Sequence, residues 1–158
     1  MGKYSRELDQ ALIDKVNEHV QKINLVVYGI EFEAIKLNSK KSIGEVIKGN
    51  DLISLFANNE SLVVIAINED AFNMVDEEVQ DFWIESLLSQ VSYDDEKDKI
   101  IIQKPELNVN IGMYRKYGQK AVDRMELGYL TLQQMAEQEK EAKEAAKAAK
   151  AEKKAKRN

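Results

Sequence analysis

The stretch SLVVIAIN, residues 61–68, constrains the fold of this chain more than any other segment. Its apolar residues follow one another without the alternation of a strand that has one face in water. A short continuous apolar run of this kind is typical of a strand covered on both faces. We therefore predict a central strand here, in a sheet with packing layers on both sides.

Helical periodicity on either side of this strand predicts two longer helices. Apolar residues at a spacing of three and four predict a helix near 5–22, with Ser5 as its N-cap. Asp76 is predicted to cap a central helix that runs to about residue 90, with acidic residues in the first turn that suit the helix dipole.

Shorter elements are predicted between and after these helices. Ser42 followed by Glu45 has the spacing of a capping box, which predicts two short helices split at Gly49–Asn50. Pro105 is predicted to start a helix that ends at Gly118.

The remaining strands are predicted from β-branched and aromatic residues. Residues 24–38 predict a strand near 25–28 and another near 32–37, or one strand with a bulge. DKIIIQK, residues 98–104, predicts a further strand. This order of elements predicts an α+β domain with a three- or four-stranded sheet.

The C-terminal segment has a different composition from the rest. From Ala121 the pattern is helical, and near the end it is dominated by Ala, Glu and Lys. We predict an α+β domain over 1–118 and a helical extension over 119–158. Residues 137–158 hold five Glu, seven Lys and one Arg, a charge of +3, so the net charge of −5 leaves −8 on the body.

Composition excludes several classes of protein. Without cysteine the chain forms no disulfides, thiolate zinc sites or cysteine nucleophile. No apolar run approaches the roughly 20 residues that cross a bilayer, and the first ten residues lack the apolar stretch of a signal peptide. These features predict a soluble, cytoplasmic protein that does not bind membranes.

Ser86 and Gln90 are predicted to share one face of the central helix, since they lie four residues apart. In a zinc-peptidase helix two histidines at this spacing bind the metal and a glutamate between them activates water. The only histidine of this chain is His19, on the first predicted helix.

Around this helix the sequence resembles the putative phage metallopeptidase family. The resemblance spans roughly residues 25–118, and in it a buried strand, a loop and a helix lead to VSYD, a strand and a helix ending in Tyr-Gly. The matching residues are Val91, Tyr93, Asp94, Pro105, Tyr117 and Gly118. The family implies a zincin-like fold whose helix carries H-E-L-x-H.

Alignment on VSYD places Ser86 and Gln90 at the two histidine positions and Leu87 at the catalytic glutamate. An acidic ligand could survive near Glu106. A register shifted by two residues puts Glu85 at the glutamate position, and it also provides no imidazole. Ser and Gln are poor zinc ligands. The resemblance thus implies a pseudoenzyme with no metal and no other cofactor.

Three roles follow as alternatives. The resemblance implies a phage accessory protein that binds a host or phage protein in the host cytoplasm. The second role is a structural component of a virion or nucleoprotein assembly, and a homo-oligomer is compatible with either. The third is a metal-dependent hydrolase that uses the acidic cluster at 94–98, whose other interpretation is a solvated turn.

Two basic segments could contact anions. Tyr114 and Tyr117 alternate with basic residues, which is typical of nucleic-acid contacts or of half-buried helix tyrosines. The last twelve residues carry six cations and one Glu, so they could attract an anionic partner such as nucleic acid, or form a solvated helix. These cations are Lys147, Lys150, Lys153, Lys154, Lys156 and Arg157.

Overall fold

The computed structural model describes residues 2–52, 55–56, 59–104 and 111–157. They form an α+β fold with a four-stranded mixed sheet, a central helix and a long C-terminal helix, as predicted. The strands are β1 Tyr4–Ser5, β2 Glu31–Leu37, β3 Gly44–Lys48, β4 Leu62–Ile67, β5 Val91–Asp94 and β6 Lys99–Ile102. The helices are α1 Gln10–Gln21, α2 Glu69–Phe72, α3 Glu77–Leu88, α4 Ile111–Tyr117 and α5 Gln119–Arg157.

The predicted central strand is β4. The sheet order is β1-β2-β4-β3, with β2 parallel and β3 antiparallel to β4. All six residues of β4 are buried, because alternate side chains enter two separate apolar clusters. One cluster contains Ile65 and the buried faces of α1 and α3; the other contains Val64 and Phe56.

The first helix begins later than predicted. The carboxylate of Asp9, not Ser5, caps α1 by accepting a hydrogen bond from the N–H of Ala11. Ser5 lies in β1 instead, where it pairs antiparallel with Lys36 of β2. The chain is therefore already part of the sheet at residues where the periodicity predicts a helix.

The strand predicted near 25–28 is wrong. Asn24–Tyr28 form a 3-10 helix, which ends where Gly29 adopts a left-handed φ of 76°. Glycine reaches this region at little cost, and the reversal leads directly into β2. Val27 is consequently left 82% exposed.

The two short helices predicted after Ser42 are also wrong within the described residues. β3 and a 3-10 turn at Gly49–Leu52 occupy this segment. The hydroxyl of Ser42 bonds locally to the N–H and the carbonyl oxygen of Gly44. Glu45 accepts a hydrogen bond from the Tyr4 hydroxyl. Ser42 and Glu45 therefore have the spacing of a capping box but do not cap a helix.

The central helix α3 begins as predicted. The Asp76 carboxylate accepts a hydrogen bond from the N–H of Val79. The helix ends at Leu88, two residues earlier than predicted, and β5 follows. β5 was not predicted as a strand, whereas β6 was, and the two form a separate antiparallel hairpin.

The long helix α5 has a packed part and a projecting part. The indole N–H of Trp83 in α3 donates to the carbonyl oxygen of Arg124 at 3.0 Å. Gly128 and Thr131 are buried, but every residue from Lys140 to Arg157 is exposed. Gly118, with a φ of 63°, separates α4 from α5 as predicted, while the predicted start at Pro105 lies outside the described residues. The division of the chain into a domain over 1–118 and an extension over 119–158 stays a prediction.

Candidate functional site

The described residues that the sequence resemblance aligns with a zinc motif, Ser86, Leu87 and Gln90, do not form a common surface. Ser86 is buried beneath α5, with its hydroxyl 3.7 Å from the sulfur of Met125. Leu87 is buried in the core. Gln90 lies beyond the end of α3, so it does not share a helix face with Ser86 as predicted. Glu106 lies outside the described residues.

Glu85 lies on the side of α3 that faces a cavity of about 860 Å³, which we call the charged groove. The groove lies between α1, α3, α4 and α5. Its lining includes His19, Asp81, Glu85, Met113, Tyr117 and Arg124. It is a pocket of the size that binds small ligands.

Both carboxylate oxygens of Glu85 are occupied. Lys116 forms an ion pair with one oxygen at 2.5 Å, and the Tyr117 hydroxyl donates to the other at 2.5 Å. The Tyr117 ring packs edge-to-face on Phe82, with the ring centroids 5.2 Å apart. Tyr117 is therefore half-buried, which was one of the two predicted alternatives, while Tyr114 is 51% exposed.

These contacts change the acidity of the groove residues. Burial acts to raise the pKa of Glu85, but the hydrogen bonds from Lys116 and Tyr117 outweigh it and hold this pKa below its ordinary value. The same bond to Glu85, together with burial, raises the pKa of Tyr117.

A second acid in the groove is also paired. The imidazole of His19 lies 3.1 Å from Asp81, and the ammonium of Lys15 lies 3.4 Å from it. Burial acts to raise the pKa of Asp81, but these two partners lower it. Asp81 and Glu85 therefore both have a pKa below the ordinary value, and each carboxylate is held in place by a lysine and a second hydrogen-bond partner.

The acidic cluster at 94–98 forms the turn of the β5–β6 hairpin. The Asp94 carboxylate accepts hydrogen bonds from the N–H groups of Glu96 and Lys97, which closes the turn. Asp98 adopts a left-handed φ of 49°. In the described part of the chain, no three His, Asp or Glu side chains lie close enough together to hold a metal ion.

A second cavity, of about 840 Å³, runs beside β3 and is called here the edge groove. Its lining includes Lys3, Tyr4, Glu45, Lys48, Gln90 and Lys104. β3 is the last strand of the sheet on this side. Lys3 lies 3.0 Å from the Glu45 carboxylate, and the bond to Glu45 raises the pKa of Lys3.

The pairing of β3 with β4 shows which backbone groups of β3 point away from β4. The N–H of Asn68 donates to the carbonyl oxygen of Ile43 at 3.0 Å, just before the first pair of the ladder. Bonded and non-bonded pairs alternate in an antiparallel ladder. Glu45 and Ile47 therefore bond to β4, and Gly44, Val46 and Lys48 direct their backbone groups outward.

The outward groups differ in their partners. The Ser42 hydroxyl serves both backbone groups of Gly44. Within the described ranges, no hydrogen bond is found to the outward backbone groups of Val46 or to the N–H of Lys48, whereas the carbonyl of Lys48 leads into the 3-10 turn at Gly49–Leu52. β3 consequently offers donors and acceptors to an extended chain.

The six predicted anion contacts of the C-terminal segment lie on the exposed end of α5, but on different faces. Lys147, Lys150, Lys154 and Arg157 follow one another at helical spacing along one side. Lys153 and Lys156 project from other sides of the helix, so the six cations are not one surface.

The sequence did not predict the contacts of Glu85 and of Asp81 in the charged groove, nor the open edge of β3. Glu85 and Tyr117 are separated by 32 residues, and His19 and Asp81 by 62. No local pattern connects such pairs. A signal for β3 does exist, because Val46 and Ile47 lie between Gly44 and Gly49 in a short β-branched run.

No protein-family model matches the sequence, and neither a curated protein nor a solved structure matches it. None of the described helices combines the length and the apolar character needed to span a bilayer.

Proposed function

We propose that this protein is a non-catalytic binding module that takes up an extended segment of a partner protein along β3. The observation that carries the proposal is the edge of β3, where, among the residues that the structure describes, the outward backbone groups of Val46 and the N–H of Lys48 have no hydrogen-bond partner. An extended peptide that adds to a sheet edge forms main-chain hydrogen bonds with such groups.

The edge groove supports this mode of binding in two ways. Its volume of about 840 Å³ lies within the range typical of ligand sites. Its lining contains cations such as Lys48 and Lys104 and the acid Glu45, which can select side chains on alternate positions of the peptide.

We propose that the protein is not a catalyst because of the side chains found at the positions that the resemblance aligns with the zinc motif. Ser86 lies under α5 and Leu87 in the core, so neither reaches a bound peptide. Gln90 lines the edge groove, where its amide can bind a peptide. The role as a phage accessory protein rests on the sequence resemblance alone.

The test begins with peptides selected from a random linear library against the immobilised full chain. Their affinity is then measured for wild-type protein, for Lys48→Pro and for Lys48→Ala. The proline removes the outward N–H, whereas the alanine removes only the side chain. We expect Lys48→Pro to weaken binding at least tenfold more than Lys48→Ala does.

The peptide provides an independent control. N-methylation of alternate residues removes the donors on one side of an extended peptide. One of the two N-methylation registers should abolish binding, and the other should leave it intact. Equal effects of both registers, or of both Lys48 variants, would contradict strand addition.

A further inference from the structure

The projecting part of α5 carries its cations in an ordered line. Along one side of the helix, spacings of three and four residues alternate, so the members lie within an arc of about 100°. We call this line the basic stripe. It consists of Lys140, Lys143, Lys147, Lys150, Lys154 and Arg157.

The acidic residues of the same segment lie elsewhere. Glu141, Glu144 and Glu152 fall on other sides of the helix from the stripe. Among the described residues only Lys143 of the stripe forms an ion pair, with Glu139 at 3.1 Å. Glu144 and Lys147, whose spacing suits an ion pair, are not within ion-pair distance. Five stripe cations therefore remain available to a partner.

The stripe is held away from the acidic body. Its tip at Arg157 lies 18 residues beyond Glu139, whose carboxylate still contacts Lys40 of the body. At the helical rise this separation is about 27 Å. Electrostatic interactions in physiological salt are screened over about 8 Å. The charge of −8 on the body therefore does not prevent an anion from reaching the tip.

The composition of this segment restricts the class of partner. Residues 140–157 contain no apolar residue larger than Ala. A helical protein partner needs an apolar seam, and insertion into a membrane surface needs an apolar face. Phosphate binding needs only cations, since it is driven by the release of counterions.

We propose that the basic stripe binds the phosphate backbone of double-stranded DNA without sequence preference. A straight stripe about 26 Å long matches a stiff duplex, whose persistence length is about 50 nm. Single-strand binding sites add aromatic side chains for stacking, and 140–157 has none. This activity is separate from peptide binding at β3, because it uses another element and another ligand.

The test measures binding of the full chain to a fluorescently labelled 20-base-pair duplex by anisotropy. The variant K150Q/K154Q removes two stripe cations, and K153Q/K156Q removes two cations of the same segment from other faces. Both change the net charge equally, and glutamine has nearly the helix propensity of lysine. We expect the stripe variant to bind about tenfold more weakly at 50 mM salt, and the control within about threefold of wild type.

The salt dependence gives a second readout. Neutralisation of phosphates by five cations predicts a slope of about −4.5 for log affinity against log salt. The stripe variant should reduce it to about −2.7, and the control should leave it unchanged. Lack of wild-type binding at 50 mM salt, equal effects of the two variants, or tighter binding to polyglutamate or single-stranded DNA would overturn the proposal.

Discussion

Gly44 of β3 lies against Leu87 of α3 with no space for a side chain between them. A Cβ atom at position 44 would be 2.7 Å from Leu87 Cδ1 and 3.1 Å from the carbonyl oxygen of Ala66. Part of this neighbourhood is backbone, so it cannot move aside as a flexible side chain can. At the residue scale, this contact fixes the distance between the edge strand and the central helix.

Gly44→Ala should therefore destabilise the fold. We expect the free energy of unfolding to fall by about 1–3 kcal/mol, as for other overpacked sites. Urea denaturation of wild type and variant measures this difference. Gly2→Ala is the control, because its Cβ would meet nothing closer than 3.7 Å. A Gly44→Ala protein as stable as Gly2→Ala would show that β3 and α3 are not in this contact.

Glu85 should contribute to the pH dependence of stability. Its pKa in the folded protein lies below the ordinary value of 4.5. The ionised carboxylate thus stabilises the fold above about pH 4.5, and this stabilisation is lost as the pH falls through the lowered pKa.

Glu85→Gln should lower the free energy of unfolding at pH 7 by about 0.5–1 kcal/mol, reduced by solvent screening. The difference from wild type should disappear towards pH 3 in urea titrations. Glu141→Gln, on the projecting helix, should show no comparable pH-dependent difference. A Glu85→Gln effect that persists unchanged at pH 3 would exclude the ion pair as its cause.

At the scale of the element, α5 is one continuous helix with two environments. Gly128 and Thr131 are buried, and Gly128 lies close to Ile43 and to Trp83. Beyond Glu139 all side chains of the helix are exposed. The first part therefore belongs energetically to the folded body, and the second part does not.

Two truncations can distinguish the contributions of these two parts of α5 to stability. Deletion of residues 140–158 should leave the free energy of unfolding within about 0.5 kcal/mol of wild type, because no buried side chain is lost. Deletion of residues 127–158 should destabilise the fold, since it removes Gly128 and Thr131. Circular dichroism follows both transitions. A large loss of stability on the shorter deletion would mean that the projecting helix packs on the body.

Elements whose information is local were predictable from the sequence. β4 is a continuous apolar run, α3 carries its own N-cap in Asp76, and α5 has high helix propensity. Each of these signals lies within the element that it specifies. The fold class followed from them.

Elements that depend on distant partners were not predictable in this way. Ser42 and Glu45 have capping-box spacing, but Glu45 is bound by Tyr4 of β1 and by the preceding residue Lys3. Residues 25–28 favour a strand, yet Gly29 turns the chain into β2 before they can pair. Tertiary contacts outweigh local propensity at both places. The same holds for the charged groove and for the open edge of β3.

At the scale of the whole molecule, the two proposed binding surfaces lie on different elements and differ in kind. The edge groove offers backbone groups at the side of the sheet, and the basic stripe offers charge on a helix that extends away from it. Residues 140–157 carry eight cations and three Glu, a charge of +5, while the body is acidic. A partner can therefore occupy one surface without competing for the other.

The most direct test of the central claim is residue-resolved amide hydrogen exchange by NMR, with and without a selected peptide. In the free protein, the amides of Glu45 and Ile47 should be protected by β4, and those of Val46 and Lys48 should exchange rapidly. The bound peptide should slow exchange at Val46 and Lys48 at least tenfold and leave Glu45 and Ile47 unchanged. Val46 and Lys48 amides that are already protected in the free protein, or that bound peptide does not protect, would contradict the account.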